Sequence, residues 1–246
     1  MAKLNPVFSG IRVEEGINEA ASVKGVAVKT LILLGLAVIS ALFSITYGAE
    51  LILGNIGVYF AIVIGAVICG ILGQVNPNAA KVCSVIYALC EGVTLGLISF
   101  LFDAVIGGVV LSAVLVTATI FGVMLFLYSS NIIRVTGKFI RVMSGIGITI
   151  LVVSLIYLFA AIIDSNNIMV QALTNSPGLM LLVSGFILIY GAFMLALDFE
   201  QVNVIVANGF DKKYEWMAAL GLMVTIVWIY IEVLRLIAII ASLNRD

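Results

Sequence analysis

Four ionisable side chains stand inside long apolar runs: Glu91, Asp198, Glu232 and Arg235. Each costs about 2.5–3.5 kcal/mol at mid-bilayer on insertion scales. Groups kept at that cost hold a proton, an ion or one another. Glu91 has Tyr87 at i−4 and Thr94 at i+3, so two hydroxyls share its helical face. The arrangement suits either a protonated, hydrogen-bonded contact between helices or a station on an ion or proton path. Gly92 and Gly96 form a GxxxG beside it, which admits another backbone at close range. Asp198, with Gln201 at i+3, lies toward the inner end of its run. It reads as a carboxylate wetted from the cytoplasm, or as one held within the membrane if its helix runs on to Asn208. Glu232 and Arg235 are spaced i, i+3 and can neutralise each other, with Arg235 reaching toward the outer interface.

Other chemistry is excluded by what the chain lacks. Histidine is absent, which removes the commonest metal ligand and the usual general base. Cys69, Cys83 and Cys90 lie in apolar runs without a CxxC pair and read as packing residues. No GxGD sequence accompanies Asp198, no phosphate-cradling glycine loop occurs, and Lys212 and Lys213 precede the last apolar run rather than lying in it. The chain is therefore not read as an enzyme, and no cofactor is expected. A net charge of −1 offers no basic excess for nucleic acid.

The elements that carry these residues are set by solvent. The sequence is 63% hydrophobic and only 10% charged, whereas soluble chains carry about 25% charged residues. Too little polar surface exists to face water, so the partner is a lipid bilayer. Seven runs are long enough to cross it: 26–47, 56–73, 82–102, 104–128, 142–163, 178–197 and 216–240. Between Val82 and Tyr128 only Asp103 interrupts the apolar character, and that length is about twice one crossing, so a hairpin is expected at Asp103. With the N-terminus inside, ten of the 12 basic residues fall on one side, from Lys3, Arg12, Lys24 and Lys29 through Lys81, Arg134, Lys138 and Arg141 to Lys212 and Lys213. Residues 1–25 form a cytoplasmic segment without a signal peptide, residues 26–241 the transmembrane domain, and the C-terminus lies outside. Pro177 is placed to start a helix, Asn208-Gly209 to end one and Asp211 to cap the next.

Several short motifs then stand in a definite order. They are Asn5-Pro6-Val7-Phe8, Tyr87-Ala88-Leu89-Cys90-Glu91-Gly92, Ile133-Arg134-Val135-Thr136, Leu197-Asp198-Phe199, Tyr214-Glu215-Trp216 and the stretch from Trp228 to Arg235. In this order the chain resembles the Bax inhibitor-1 family, in particular its bacterial YccA-like branch. The resemblance implies an all-α integral membrane fold with six helices around a central seventh. It also implies a pH-sensitive calcium leak in some members, gated by two aspartates, one on the sixth span and one on the seventh. Asp198 matches the first. For the second, matching the residues around Tyr230 selects Glu232, whereas matching depth opposite Asp198 selects the neighbourhood of Thr225. These lie about 10 Å apart along a helix. Glu91, at comparable depth, is a further candidate partner.

The sequence thus reads as a multi-pass protein of a cytoplasmic or inner membrane. The expected function is a cation leak gated by buried carboxylates, with calcium as permeant ion and contact at Asp198. Without histidine, any pH switch near neutrality must work through carboxyl groups whose pKa burial raises. The alternative is a non-conducting regulator that binds a membrane protease or another membrane complex through its inner loops.

Overall fold

Seven long apolar stretches fold as helices because each must satisfy its backbone groups internally in lipid. The computed structural model describes residues 19–48, 55–164, 171 and 176–243. The motif at residues 5–8, Lys3, Arg12, Arg245 and most of the loop before Pro177 lie outside the described residues. Among those described, the helices are α1 (Val23–Phe43), prolonged by a π-helical turn (Ser44–Gly48), α2 (Ile56–Val75), α3 (Ala80–Val105) and α4 (Val109–Ser129). They continue with α5 (Gly137–Ile163), α6 (Pro177–Ala207) and α7 (Tyr214–Leu243). All seven are long and apolar enough to cross a membrane.

Local signals fix the helix ends. Ser22 caps α1, its Oγ accepting from Gly25 N at 3.0 Å, and Thr136 caps α5 through Phe139 N at 3.2 Å. Pro177 sits in the first turn of α6. Gly209, at φ 63°, takes the left-handed turn that ends it. Asp211 accepts from Lys213 N at 2.9 Å ahead of α7. The hairpin between α3 and α4 falls later than the sequence suggests. Asp103 stays inside α3, and the turn is made at Ile106–Gly108, where Gly108 has φ 79° and donates its N–H to Asp103 Oδ1 at 2.9 Å. Glycine alone reverses the chain there without strain, while the carboxylate accepts from the turn it precedes.

Helix α7 is central. Met217 to Met223 are buried without a break, so it is apolar on every face, as a fully surrounded helix must be. It packs on α6, α1, α4, α3 and α2. Helix α5 differs from its neighbours, since it joins the bundle through α6, with Tyr190 Oη donating to Met143 O at 3.2 Å and Phe139 edge-on to Phe193. Only Met143 of α5 is buried. Helices α1 and α3 meet backbone to backbone. A Cβ on Gly92 would lie 2.9 Å from Ala37 Cα, and one on Gly96 2.9 Å from Ala41 Cα. Ser40 Oγ and Ser44 Oγ donate across the same contact to Leu89 O at 2.7 Å and Val93 O at 3.1 Å. The GxxxG is therefore a packing surface. The three cysteines are free, Cys83 buried and the other two half-buried.

Candidate functional site

Asp198 stands nine residues from the end of α6 and Thr225 eleven from the start of α7. At 1.5 Å per residue these are about 14 and 16 Å from the basic end of the bundle. The two helices are antiparallel neighbours, so the side chains meet at one depth, with Thr225 beside the Asp198 carboxyl group. Thr225 is 6% exposed. Asp198 Oδ2 is enclosed by protein and has no hydrogen-bond partner among the described residues. Buried oxygens without a partner are rare; Thr117 Oγ1 of α4 is the other among the described residues.

Gly221 lets Gln74 and this carboxyl approach the backbone of α7 closely. A methyl there would sit 3.7 Å from Asp198 Oδ1, 3.2 Å from Gln74 Nε2 and 4.0 Å from Gln74 Oε1. Gln74 is the penultimate residue of α2, and its amide offers both a donor nitrogen and an acceptor oxygen. Three helices thus bring one acid, one amide and one hydroxyl to a single point. Sequence reasoning ended the second apolar run at residue 73 and so passed over Gln74. The signal was present: an uncharged but strongly polar side chain in the last turn of an otherwise apolar span.

The remaining candidates lie elsewhere. Glu232, only 3% exposed, pairs with Arg235 at 3.3 Å and neighbours Ser184 of α6. It does not meet Asp198, so Thr225 is the residue of α7 that does. Glu91 is half-buried and makes no hydrogen bond among the described residues, while Thr94 Oγ1 turns back to Cys90 O at 3.3 Å. A cavity of about 510 Å³ at the far ends of α3 and α7, lined by Leu101, Phe102, Val105 and Ala238, contains no ionisable group.

Two polar networks at the basic end escaped sequence reasoning. Glu215, 1% exposed, is ion-paired with Lys29 and accepts from Ser22 N at 2.8 Å and Ser22 Oγ at 3.1 Å. Lys29 also lies 5.5 Å from the Trp216 ring centre. Residues 19–21 lie along the α6–α7 loop through an Ala20–Asp211 bridge, a 2.8 Å bond from Ala21 N to Phe210 O and a Glu19–Lys212 ion pair. That carboxylate holds the Lys212 ammonium above the usual lysine range. In the second network, Tyr128 Oη donates to Glu200 Oε2 at 2.7 Å and accepts from Asn203 Nδ2 at 2.5 Å. Glu200 follows Asp198 by two residues and so turns toward α4, away from Gly221.

Among metal-ligating types, no group of three or more His, Cys, Asp or Glu converges among the described residues. The family model described as Bax inhibitor 1 like matches residues 5–242, which takes in all seven helices. No curated protein matches the chain.

Proposed function

The chain belongs to the Bax inhibitor 1 like family, and from that premise we propose that it is a pH-sensitive cation leak whose gate is Asp198. The observation that carries this reading is the enclosed Asp198 carboxyl group, its Oδ2 without a partner among the described residues and its Oδ1 beside Gly221 of the central helix. A charged carboxylate there demands a counter-charge; a protonated one does not. Exchange between the two forms changes which packing of α6 on α7 is favoured, and so couples pH to opening. Calcium is the permeant ion that the family resemblance implies. We place the basic end of the bundle in the cytoplasm and the C-terminus outside, in a cytoplasmic or inner membrane of the bacterial kind, with no enzymatic step and no cofactor.

The test is cation flux into liposomes that contain only the purified protein. Wild type should show flux that changes with pH, and Asp198→Asn, which keeps the shape and removes the titration, should flatten that dependence. Full pH dependence in Asp198→Asn removes this residue as the sensor. One observation favours the alternative of a non-conducting regulator of a membrane protease or other complex: α5 has a single buried residue and presents nearly its whole surface outward. Absence of flux at every pH tested selects that reading.

A further inference from the structure

We infer that Arg134, Lys138 and Arg141, at the basic end of α5, form a docking surface for an anionic phospholipid. Its phosphate rests on these cations and an acyl chain runs along the open flank of the helix. The surface lies apart from Asp198 and stands whether or not the chain conducts.

Charge sets this corner of the bundle apart. Between Asp103 and Asp164 the chain has no Asp or Glu, and these three are its only basic residues there. All three are exposed, and none is ion-paired among the described residues. Elsewhere at the same end, Lys29 is held by Glu215 and Lys212 by Glu19, while Lys24 and Lys81 are exposed but stand singly. Glu200 of α6, the acid that reaches α4, is engaged by Tyr128. The positive-inside rule accounts for the side on which the three cations stand. It does not account for their grouping away from acids. An uncompensated group of this kind attracts anions, and at a membrane surface the anion at highest density is the lipid headgroup.

Geometry fits that partner. Arg134 Nε donates to Asn131 O at 3.3 Å and Arg141 Nε to Gly137 O at 3.2 Å. The two terminal nitrogens of each guanidinium are left without a protein partner among the described residues. Such a fork grips a phosphate through two parallel hydrogen bonds. Helix α5 has 27 residues, about 40 Å at 1.5 Å each, against a hydrocarbon core of about 30 Å. Its first turn therefore stands in the headgroup layer, and Arg141 reaches back to that turn through Gly137. Lys138 and Arg141 are spaced i, i+3 on one face. One turn deeper on this face is Gly145, with nothing within 4 Å of a Cβ built there. Ile148 and Val152 follow, 65% and 45% exposed. The face is thus cationic at the interface, smooth at Gly145 and apolar below, the order in which a lipid presents phosphate and chain.

The full-length protein is purified in detergent, and its binding of phosphatidylglycerol and phosphatidylcholine with identical acyl chains is measured by native mass spectrometry. Wild type should bind phosphatidylglycerol at least about tenfold more tightly. Arg134→Gln, Lys138→Gln and Arg141→Gln should each lower that preference about fivefold, and the triple change should abolish it. Arg141→Lys keeps the charge without the fork, so its loss should be smaller than that of Arg141→Gln but measurable. Lys24→Gln combined with Lys81→Gln removes two exposed cations of the same end and should leave the preference within about twofold. Unfolding midpoints in detergent without added lipid should match wild type for every variant, which separates a lost lipid from a lost fold. Equal binding of the two lipids by wild type overturns the inference, as does an equal loss from the Lys24 and Lys81 changes. A preference that emerges only in Glu14→Gln with Glu15→Gln would assign the cations to the N-terminal segment of this chain and overturn it as well.

Discussion

Each buried acid of this bundle meets its charge differently. Glu215 has Lys29, two bonds from Ser22 and the start of α1, whose N-terminal dipole favours a carboxylate. Glu232 is buried, but its partner Arg235 is 46% exposed, so that pair is half-screened. Asp198 has no charged partner among the described residues. Removing one member of a pair strands the other, whereas removing both does not. Arg235→Ala should therefore lower thermal stability in detergent more than the double change with Glu232→Gln, with a coupling of about 0.5–3 kcal/mol. Additive losses would contradict direct pairing. Lys29→Met should be more damaging than Lys29→Arg, because arginine keeps the charge that Glu215 requires; equal midpoints for the two would show that the ion pair is inert.

At the scale of elements, glycine placement separates contacts between helices from surfaces that face lipid. Gly92 and Gly96 lie against the backbone of α1, whereas nothing stands within 4 Å of a Cβ built on Gly65. Gly92→Leu should force α1 from α3 and cost about 1–3 kcal/mol, the usual penalty of overpacking. Gly65→Ala, in open space within a helix, should be neutral or stabilising by up to about 1 kcal/mol. Unfolding midpoints of the two variants measure this directly, and similar losses in both would mean that the α1–α3 contact is not close. Gly25 belongs with Gly92, since its Cα is where the Glu215 carboxylate docks. The loosely attached α5 follows the same logic with less to hold it: Gly147 admits the Tyr190 ring end, but Met143 is its one buried residue among those described.

For the whole molecule, the distribution of basic residues predicts orientation. In a background without the three native cysteines, cysteines at Ser130 and Asp211 should be labelled from the cytoplasm and one at Gly107 from outside. Labelling of Ser130 and Gly107 from the same side would break the seven-span topology. That topology is written locally. The length of each apolar run and the polar breaks at Asn76-Pro77, Ser176-Pro177 and Asn208-Gly209 suffice to count the helices, because a bilayer tests every segment for hydrophobicity on its own. The longer reach of α6 past Asp198, and the pairing of Glu232 with Arg235, were legible for the same reason, since both depend on positions within one helix. The turn at Gly108 rather than Asp103 was less so, because an acid that accepts from a later turn resembles a break in composition. What tertiary structure alone decided is how the helices are rotated and offset against one another. Glu232 and Thr225 were equal claimants until α6 and α7 were set side by side, and Gln74 joined them only through the end of α2. Lys29 and Glu215 are 186 residues apart, and no local signal links them. In a chain apolar on nearly every helical face, hydropathy does not say which face turns inward. That choice falls to close packing at glycines and to the few polar groups that must find partners away from water.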